Sequence, residues 1–214
     1  MTPAEANLLR TLLAGPEASA KVAARAASGG RPAAVLIALA EHSAGLHVVL
    51  VEKDARLRSH AGQVAFPGGS LEPSDPSPVA GALREAHEEV GIEPGEVEVL
   101  GVLPPTYVRS SDFAVTAVVA RWPQPRPLAP VDTVEIAAVH SIALDVLLDP
   151  ANRVTWTHPA GFDGPGFVVG ELFVWGFTAY LLDGLFDLAG WTVAWDQARV
   201  AEIPERFVRG RRRG

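Results

Sequence analysis

The sequence predicts a fold that combines helices with a β-sheet. Apolar runs of strand length recur along the chain, and two amphipathic segments have the 3.6-residue period of helices. The composition, with 48% hydrophobic and 20% charged residues, is that of a globular protein and not of a disordered chain. A chain of 214 residues is long enough to bury a substantial core in one domain.

The first third of the chain predicts helices followed by two strands. Residues 2–28 are rich in Ala and Leu and predict one or two helices, with a break near Gly15 and Pro16. We therefore treat residues 1–30 as an N-terminal helical extension. Two apolar runs, 33–40 and 46–51, flank a turn that contains Gly45, and this pattern predicts a hairpin or adjacent strands.

Further strands and a C-terminal helix follow the central helix. Residues 97–103 and 113–120 predict strands, with a loop between them that holds Pro104 and Pro105. Residues 131–139 predict another strand, 142–148 a short helix, and 154–156 and 167–169 two short strands. An amphipathic helix ends near Leu188. We expect the main domain to span residues 31–195 and a basic tail to span 196–214.

The central helix carries a group of carboxylates. Residues 84–92 read Arg-Glu-Ala-His-Glu-Glu-Val-Gly-Ile. On a helix, Glu85, Glu88 and Glu89 fall within an arc of about 100°, opposite an apolar stripe. Like charges at this spacing destabilise a helix by a few tenths of a kcal/mol per pair. A hard divalent cation would offset that repulsion, although a solvated acidic face has the same spacing.

This helix and the glycines before it resemble the Nudix box, G-x5-E-x7-R-E-U-x-E-E-x-G-U, in which U is aliphatic. The second half of the box matches at Arg84, Glu85, Glu88, Glu89, Gly91 and Ile92. The first half departs from the pattern. Counted from Gly69, five residues lead to Asp75 in place of Glu, and eight residues instead of seven lead to Arg84.

The segment before the box narrows the resemblance to one branch of that family. It is similar to the motif R-x3-G-x3-F-P-G-G of the coenzyme A diphosphatases, which also share the longer loop. The matching residues are Arg58, Gly62, Phe66, Pro67, Gly68 and Gly69. Upstream, where that branch has L-L-T-x-R-[SA], this chain has Val51, Lys53 and Asp54 at three of the fixed positions. This departure bears on the substrate more than on the chemistry.

The resemblance implies an α/β/α sandwich with a mixed sheet and a site that holds Mg²⁺ or Mn²⁺. By the family pattern, Glu85 and Glu89 are the main metal ligands, and the carbonyl of Gly69 is a further one. Glu88 is a third ligand or the base that deprotonates the water, and Arg84 orients the cluster. Glu135 is either a distant base or a surface charge. The candidates for substrate binding are Arg58, His60, Gln63 and Phe66.

The function that the resemblance implies is hydrolysis of the diphosphate of CoA or acyl-CoA to adenosine 3′,5′-bisphosphate and a 4′-phosphopantetheine product. The alternatives are a pyrophosphatase for ADP-ribose or other nucleoside-diphosphate derivatives, and a non-catalytic binding domain. The net charge of −7 argues against a nucleic-acid partner. No apolar run suggests a membrane span or a signal peptide, and the absence of cysteine fits a cytoplasmic location. A homodimer is compatible with the sequence.

Overall fold

A seven-stranded mixed sheet forms the centre of the computed structural model, which describes residues 1–16, 18, 29–57, 59–109 and 111–208. Its main path is β3-β2-β1-β6-β5, with β4 also paired to β1 and β7 to β2. Strands β1 and β6 are parallel and the other pairs are antiparallel. The strands are β1 (Arg31–His42), β2 (Gly45–Lys53), β3 (Val64–Ala65), β4 (Gly68–Ser70), β5 (Glu98–Val108), β6 (Phe113–Trp122) and β7 (Ile136–Ala143).

A smaller sheet of four strands follows in the chain, in the order β10-β9-β8-β11. Its strands are β8 (Arg153–Thr157), β9 (Asp163–Val169), β10 (Leu172–Val174) and β11 (Val200–Glu202). The helices are α1 (Pro3–Ala14), α2 (Pro78–Val90), α3 (Leu144–Leu148), α4 (Gly176–Leu188) and α5 (Glu205–Val208). Short 3₁₀ turns lie at Pro94–Glu96 and Pro150–Asn152.

Helices cover both faces of the large sheet, because side chains alternate between the two faces of each buried strand. On β1, Leu36 and Ala38 belong to the core shared with α2, whereas Ile37 and Leu39 belong to the core shared with α1 and α4. The α/β/α sandwich that the resemblance implied is thereby confirmed. Helix α1 packs on β5 as part of the larger core through its buried residues Ala6, Leu9 and Leu13.

Two details of the predicted secondary structure are wrong. Pro104 and Pro105 lie within β5 and not in a loop, because β5 is the edge strand and its register shifts between Leu103 and Thr106, where missing N–H groups are tolerated. Strand β7 begins at Ile136 instead of residue 131. The Asp132 carboxylate accepts hydrogen bonds from the two backbone N–H groups before Ile136 and holds that segment as a turn.

The segment that the sequence assigned to a basic tail is folded as far as Val208. Strand β11 pairs in parallel with β8, and Ile203 and Phe207 are buried against Trp156 and Phe173. The structure does not describe residues 209–214, which include the arginines of the predicted basic tail. It also does not describe residues 17 and 19–28, where the second N-terminal helix was predicted. None of the helices among the described residues has both the length and the apolar character that a membrane span requires.

Candidate active site

Helix α2 presents the carboxylates, and its ends are fixed by residues suited to helix termini. The Ser77 hydroxyl accepts a hydrogen bond from the backbone N–H of Ala80, and Pro78 occupies the first helical position. Gly91 ends the helix in the left-handed conformation, with φ of 74°. These signals fix the helical register from Arg84 to Glu89.

Strand β4 brings two glycines directly against this helix. A Cβ atom at Gly69 would lie 2.6 Å from Oε1 of Glu85, and one at Gly68 would lie 2.4 Å from the carbonyl oxygen of Ala34. No other residue fits at either position without moving its neighbours. The carboxylate of Glu85 therefore lies against the Gly69 backbone, and this contact explains the glycine at 69. Gly68 is required by its positive φ of 154° and by the backbone of β1 beside it.

Glu89 lies on the inner side of α2, so the expectation that all three carboxylates share an outward polar face is wrong. It is only 4% exposed. One carboxylate oxygen lies 2.6 Å from Nζ of Lys53, and the other accepts a hydrogen bond of 3.0 Å from the backbone N–H of Gly68. Burial raises the pKa of the Glu89 carboxyl, and the Lys53 ammonium and the Gly68 N–H oppose that rise.

Arg84 connects the acidic side chains around the start of the site. Its guanidinium donates to both oxygens of Asp75 at 3.1 Å, to Glu88 at 2.8 Å and to Glu85 at 3.1 Å. It also donates to the carbonyl of Ser70. These bonds to Arg84 hold the pKa of the Asp75 carboxyl below its ordinary value. Asp75, the residue that departs from the box pattern, therefore holds the guanidinium of Arg84 in place.

Glu88 differs from Glu85 and Glu89 in its exposure: its side chain is 54% exposed, and it forms an i,i+4 ion pair with Arg84. Among the described residues, no group of three acidic or histidine side chains is positioned to hold a metal ion. The expected three-carboxylate cluster is therefore not preformed. Glu85, Glu89 and the Gly69 carbonyl still provide only oxygen donors, which are the ligands that Mg²⁺ and Mn²⁺ favour. These residues fit such a cation, and their roles as ligands remain predictions.

The predicted substrate-binding residues lie on both sides of β3: His60 and Gln63 are in the substrate loop before it (residues 54–57 and 59–63), and Phe66 follows it. Nδ1 of His60 lies 2.9 Å from Oε1 of Gln63, and His60 has a positive φ of 59°. Phe66 is 3% exposed and packs in the larger core, so its side chain supports the loop from below. Arg58 lies outside the described residues. The part that each of these residues plays in substrate binding stays a prediction.

Two contacts of this region were missed from the sequence. The ammonium group of Lys53 faces Glu89 and lies 3.5 Å from Oε2 of Glu135, whose side chain is 54% exposed. Phe207 lies against the substrate loop, since a Cβ atom at Gly62 would be 3.5 Å from its ring. Side chains alternate between the two faces of β2, and this alternation could have shown to which face Lys53 points. No local pattern indicates the contact of Phe207.

Comparison with known proteins identifies relatives of this chain. The model of the NUDIX domain matches residues 30–162. The chain is 42% identical over 159 residues to a Nudix hydrolase NudL of Citrobacter koseri, described as uncharacterized, and the match covers 71% of this chain and 79% of that protein. A NudL protein of Enterobacter sp. strain 638 is 40% identical over 160 residues, with 71% and 79% covered.

Solved structures share the fold at low sequence identity. The Nudix hydrolase RenU of M. smegmatis superposes with a TM-score of 0.55 at 19% identity, covering 79% of this chain and 91% of that one. A MutT/nudix family protein of Enterococcus faecalis gives a TM-score of 0.52 at 18% identity, covering 75% and 62%. These likenesses concern the fold alone.

Proposed function

Because the chain belongs to the Nudix family, whose hydrolases act on diphosphate bonds, we propose that it is a metal-dependent diphosphatase for CoA or acyl-CoA. The products are adenosine 3′,5′-bisphosphate and 4′-phosphopantetheine or its acylated form. As part of the same proposal, the enzyme works in the cytoplasm with Mg²⁺ or Mn²⁺.

The observation that carries the proposal is the contact between the CoA-type motif and the carboxylate helix. The motif ends in Gly68 and Gly69; Gly68 donates its N–H to Glu89, and Gly69 lies against the Glu85 carboxylate. The segment that would select the substrate is therefore joined to the segment that would perform the chemistry. This contact supports a single site in which substrate binding and hydrolysis are coupled.

The proposed reaction adds water to one phosphorus of the diphosphate and breaks its bond to the bridging oxygen, which leaves as part of the second phosphomonoester. A divalent cation supplies charge neutralisation at the phosphate oxygens and lowers the pKa of a water molecule. Glu85 and Glu89, with the Gly69 carbonyl, would hold that cation. Arg84 would keep Glu85 in place, and Glu88 or Glu135 would accept the proton from the attacking water.

The loop residues supply recognition in this proposal. Arg58, His60 and Gln63 would bind phosphate oxygens or the amides of pantetheine, through charge-assisted and neutral hydrogen bonds. The ring of His60 is already oriented by its contact with Gln63. The side chain of Phe66, which packs in the larger core, would hold the substrate loop in position.

One observation favours a second substrate class, ADP-ribose or another nucleoside-diphosphate derivative. The CoA-type pattern is altered at Val51, Lys53 and Asp54. Asp54 binds Arg56 through both carboxylate oxygens and thereby withdraws one cation of the loop from a ligand. A non-catalytic binding domain is disfavoured, because it would not need the acidic residues of α2.

A hydrolysis panel tests the proposal. The purified protein is incubated with CoA, acetyl-CoA, a long-chain acyl-CoA, ADP-ribose, NADH and nucleoside triphosphates, with Mg²⁺ or Mn²⁺ and with excess chelator. Products are identified by chromatography and mass spectrometry. We expect adenosine 3′,5′-bisphosphate from CoA with metal only. Turnover of ADP-ribose alone would refute the CoA assignment, and full activity in chelator would refute metal dependence.

A further inference from the structure

Lys53, at the end of β2, forms an ion pair with a carboxylate of α2. Its Nζ lies 2.6 Å from Oε1 of Glu89 and 3.5 Å from Oε2 of Glu135. The lysine side chain is 14% exposed and that of Glu89 is 5% exposed. This ion pair is therefore largely shielded from water. Electrostatic interactions in such an environment are stronger than at the protein surface.

Hydrogen bonds of its own backbone N–H and carbonyl fix the position of Lys53. Its N–H donates to the carbonyl of Gln63, and its carbonyl accepts from the N–H of Gly62. The following residue, Asp54, donates its N–H to the carbonyl of Glu135. Lys53 thus lies where the substrate loop, β2 and the turn before β7 meet.

We propose that Lys53 is a built-in counter-ion of the metal-binding carboxylates. A divalent cation that binds there must either displace the ammonium group of Lys53 or bind in spite of its repulsion. This inference rests on the proposed function in one respect, namely that Glu85 and Glu89 hold the metal. In the metal-free protein the ammonium group supplies the positive charge that the buried Glu89 needs. When a divalent cation approaches the same carboxylates, that ammonium group repels it.

The consequence is a trade between stability without metal and affinity for metal. Removing the lysine charge leaves Glu89 buried without its ion-pair partner, so the metal-free protein becomes less stable. The same change removes a repulsive unit charge from beside the metal site, so metal affinity rises. A lysine that only oriented Glu89 would have the opposite effect on affinity, because its loss would disorder a ligand.

The test measures Mn²⁺ binding to the full chain without substrate, using the electron paramagnetic resonance signal of free Mn²⁺. The variants are Lys53→Met, which keeps length and removes charge, and Lys53→Arg, which keeps charge. Lys53→Gln serves as a second neutral variant in case Lys53→Met fails to fold. Glu89→Gln identifies the site, because its loss of affinity shows that the measured Mn²⁺ binds at α2. Melting temperatures are recorded with and without saturating Mn²⁺.

We expect Lys53→Met to bind Mn²⁺ at least about tenfold more tightly than the unmodified protein, and Lys53→Arg to stay within about threefold of it. The melting temperature of Lys53→Met should be lower without metal, and saturating Mn²⁺ should close most of the gap. Unchanged or weaker Mn²⁺ affinity in the neutral variants, with Glu89→Gln defective, would overturn this inference and leave the proposed function standing. An unmodified protein that binds no Mn²⁺ would overturn both.

Discussion

Replacing Glu89 by Gln removes a negative charge and keeps the size of the side chain. We expect kcat to fall by at least about 10²-fold, because the change takes one anionic ligand from the proposed metal site. The protein should remain folded. Burial already raises the pKa of this carboxyl, which means that the fold disfavours its charged form relative to water, and an amide at the same place avoids that cost.

The size of the expected effect follows from the surroundings of Glu89. The Glu89 side chain is 5% exposed, so a cation beside its carboxylate is poorly screened by water. Two unit charges about 4 Å apart interact by roughly 4 kcal/mol at an effective dielectric constant of 20. A loss of about 2.7 kcal/mol of barrier lowering, which is the equivalent of 10²-fold in rate, needs only part of that interaction.

The assay compares kcat for CoA under saturating Mg²⁺ in Glu89→Gln and in Glu93→Gln. Glu93 is an exposed acidic residue just after the same helix, 57% exposed, and its change to Gln should leave kcat within about twofold. Circular dichroism and thermal melting verify that both variants fold. Near-normal turnover of a folded Glu89→Gln protein would refute the assignment of Glu89 to the metal.

Three further changes test other parts of the site. Arg58→Ala should raise KM for CoA by about one to two decades with little change in kcat, because a guanidinium that holds a non-reacting phosphate contributes about 1.5–3 kcal/mol equally to ground and transition states; an unchanged KM would exclude Arg58 from substrate binding. Asp75→Asn should be less stable than the unmodified protein near neutral pH, and the two should converge on acidification. Arg84 lowers the folded-state pKa of Asp75 from its ordinary 3.8, so this stabilisation is present above about pH 4–5 and is lost as the pH falls through the lowered pKa; a constant gap in urea denaturation down to pH 2 would count against the Arg84 contact. Phe207→Ala should raise KM more than it lowers kcat, because Phe207 is 8% exposed and packs against Gly62 in the substrate loop. A lower kcat with unchanged KM would show that Phe207 does not support substrate binding.

The sequence predicted the local features of the site because they depend on short-range rules. The caps of α2, its apolar stripe and the glycines before it all follow from backbone conformation and helical period. The two faces of the sheet likewise follow from the alternation in β1. Such features are encoded within one turn or one strand, so residue order alone reveals them.

Contacts between distant segments could not be predicted in the same way. The direction of Glu89 depends on Lys53 and Gly68, which belong to other strands. The helical wheel groups Glu88 with Glu89, whereas the sheet buries only Glu89 and leaves Glu88 to pair with Arg84. The fold of residues 200–208 depends on pairing with β8, 45 positions earlier in the chain (Val200 with Thr155). Periodicity alone does not encode any of these contacts.

Whether CoA is the substrate can be measured by the ratios of kcat/KM among CoA, 3′-dephospho-CoA and ADP-ribose at one Mg²⁺ concentration. If the site recognises the 3′-phosphate, its removal leaves cationic donors without a partner and costs activity. We predict that kcat/KM for CoA exceeds both other values by at least about tenfold, or about 1.4 kcal/mol. Equal values for the three compounds would show that only the diphosphate is recognised, and a clear preference for ADP-ribose would refute CoA as the substrate.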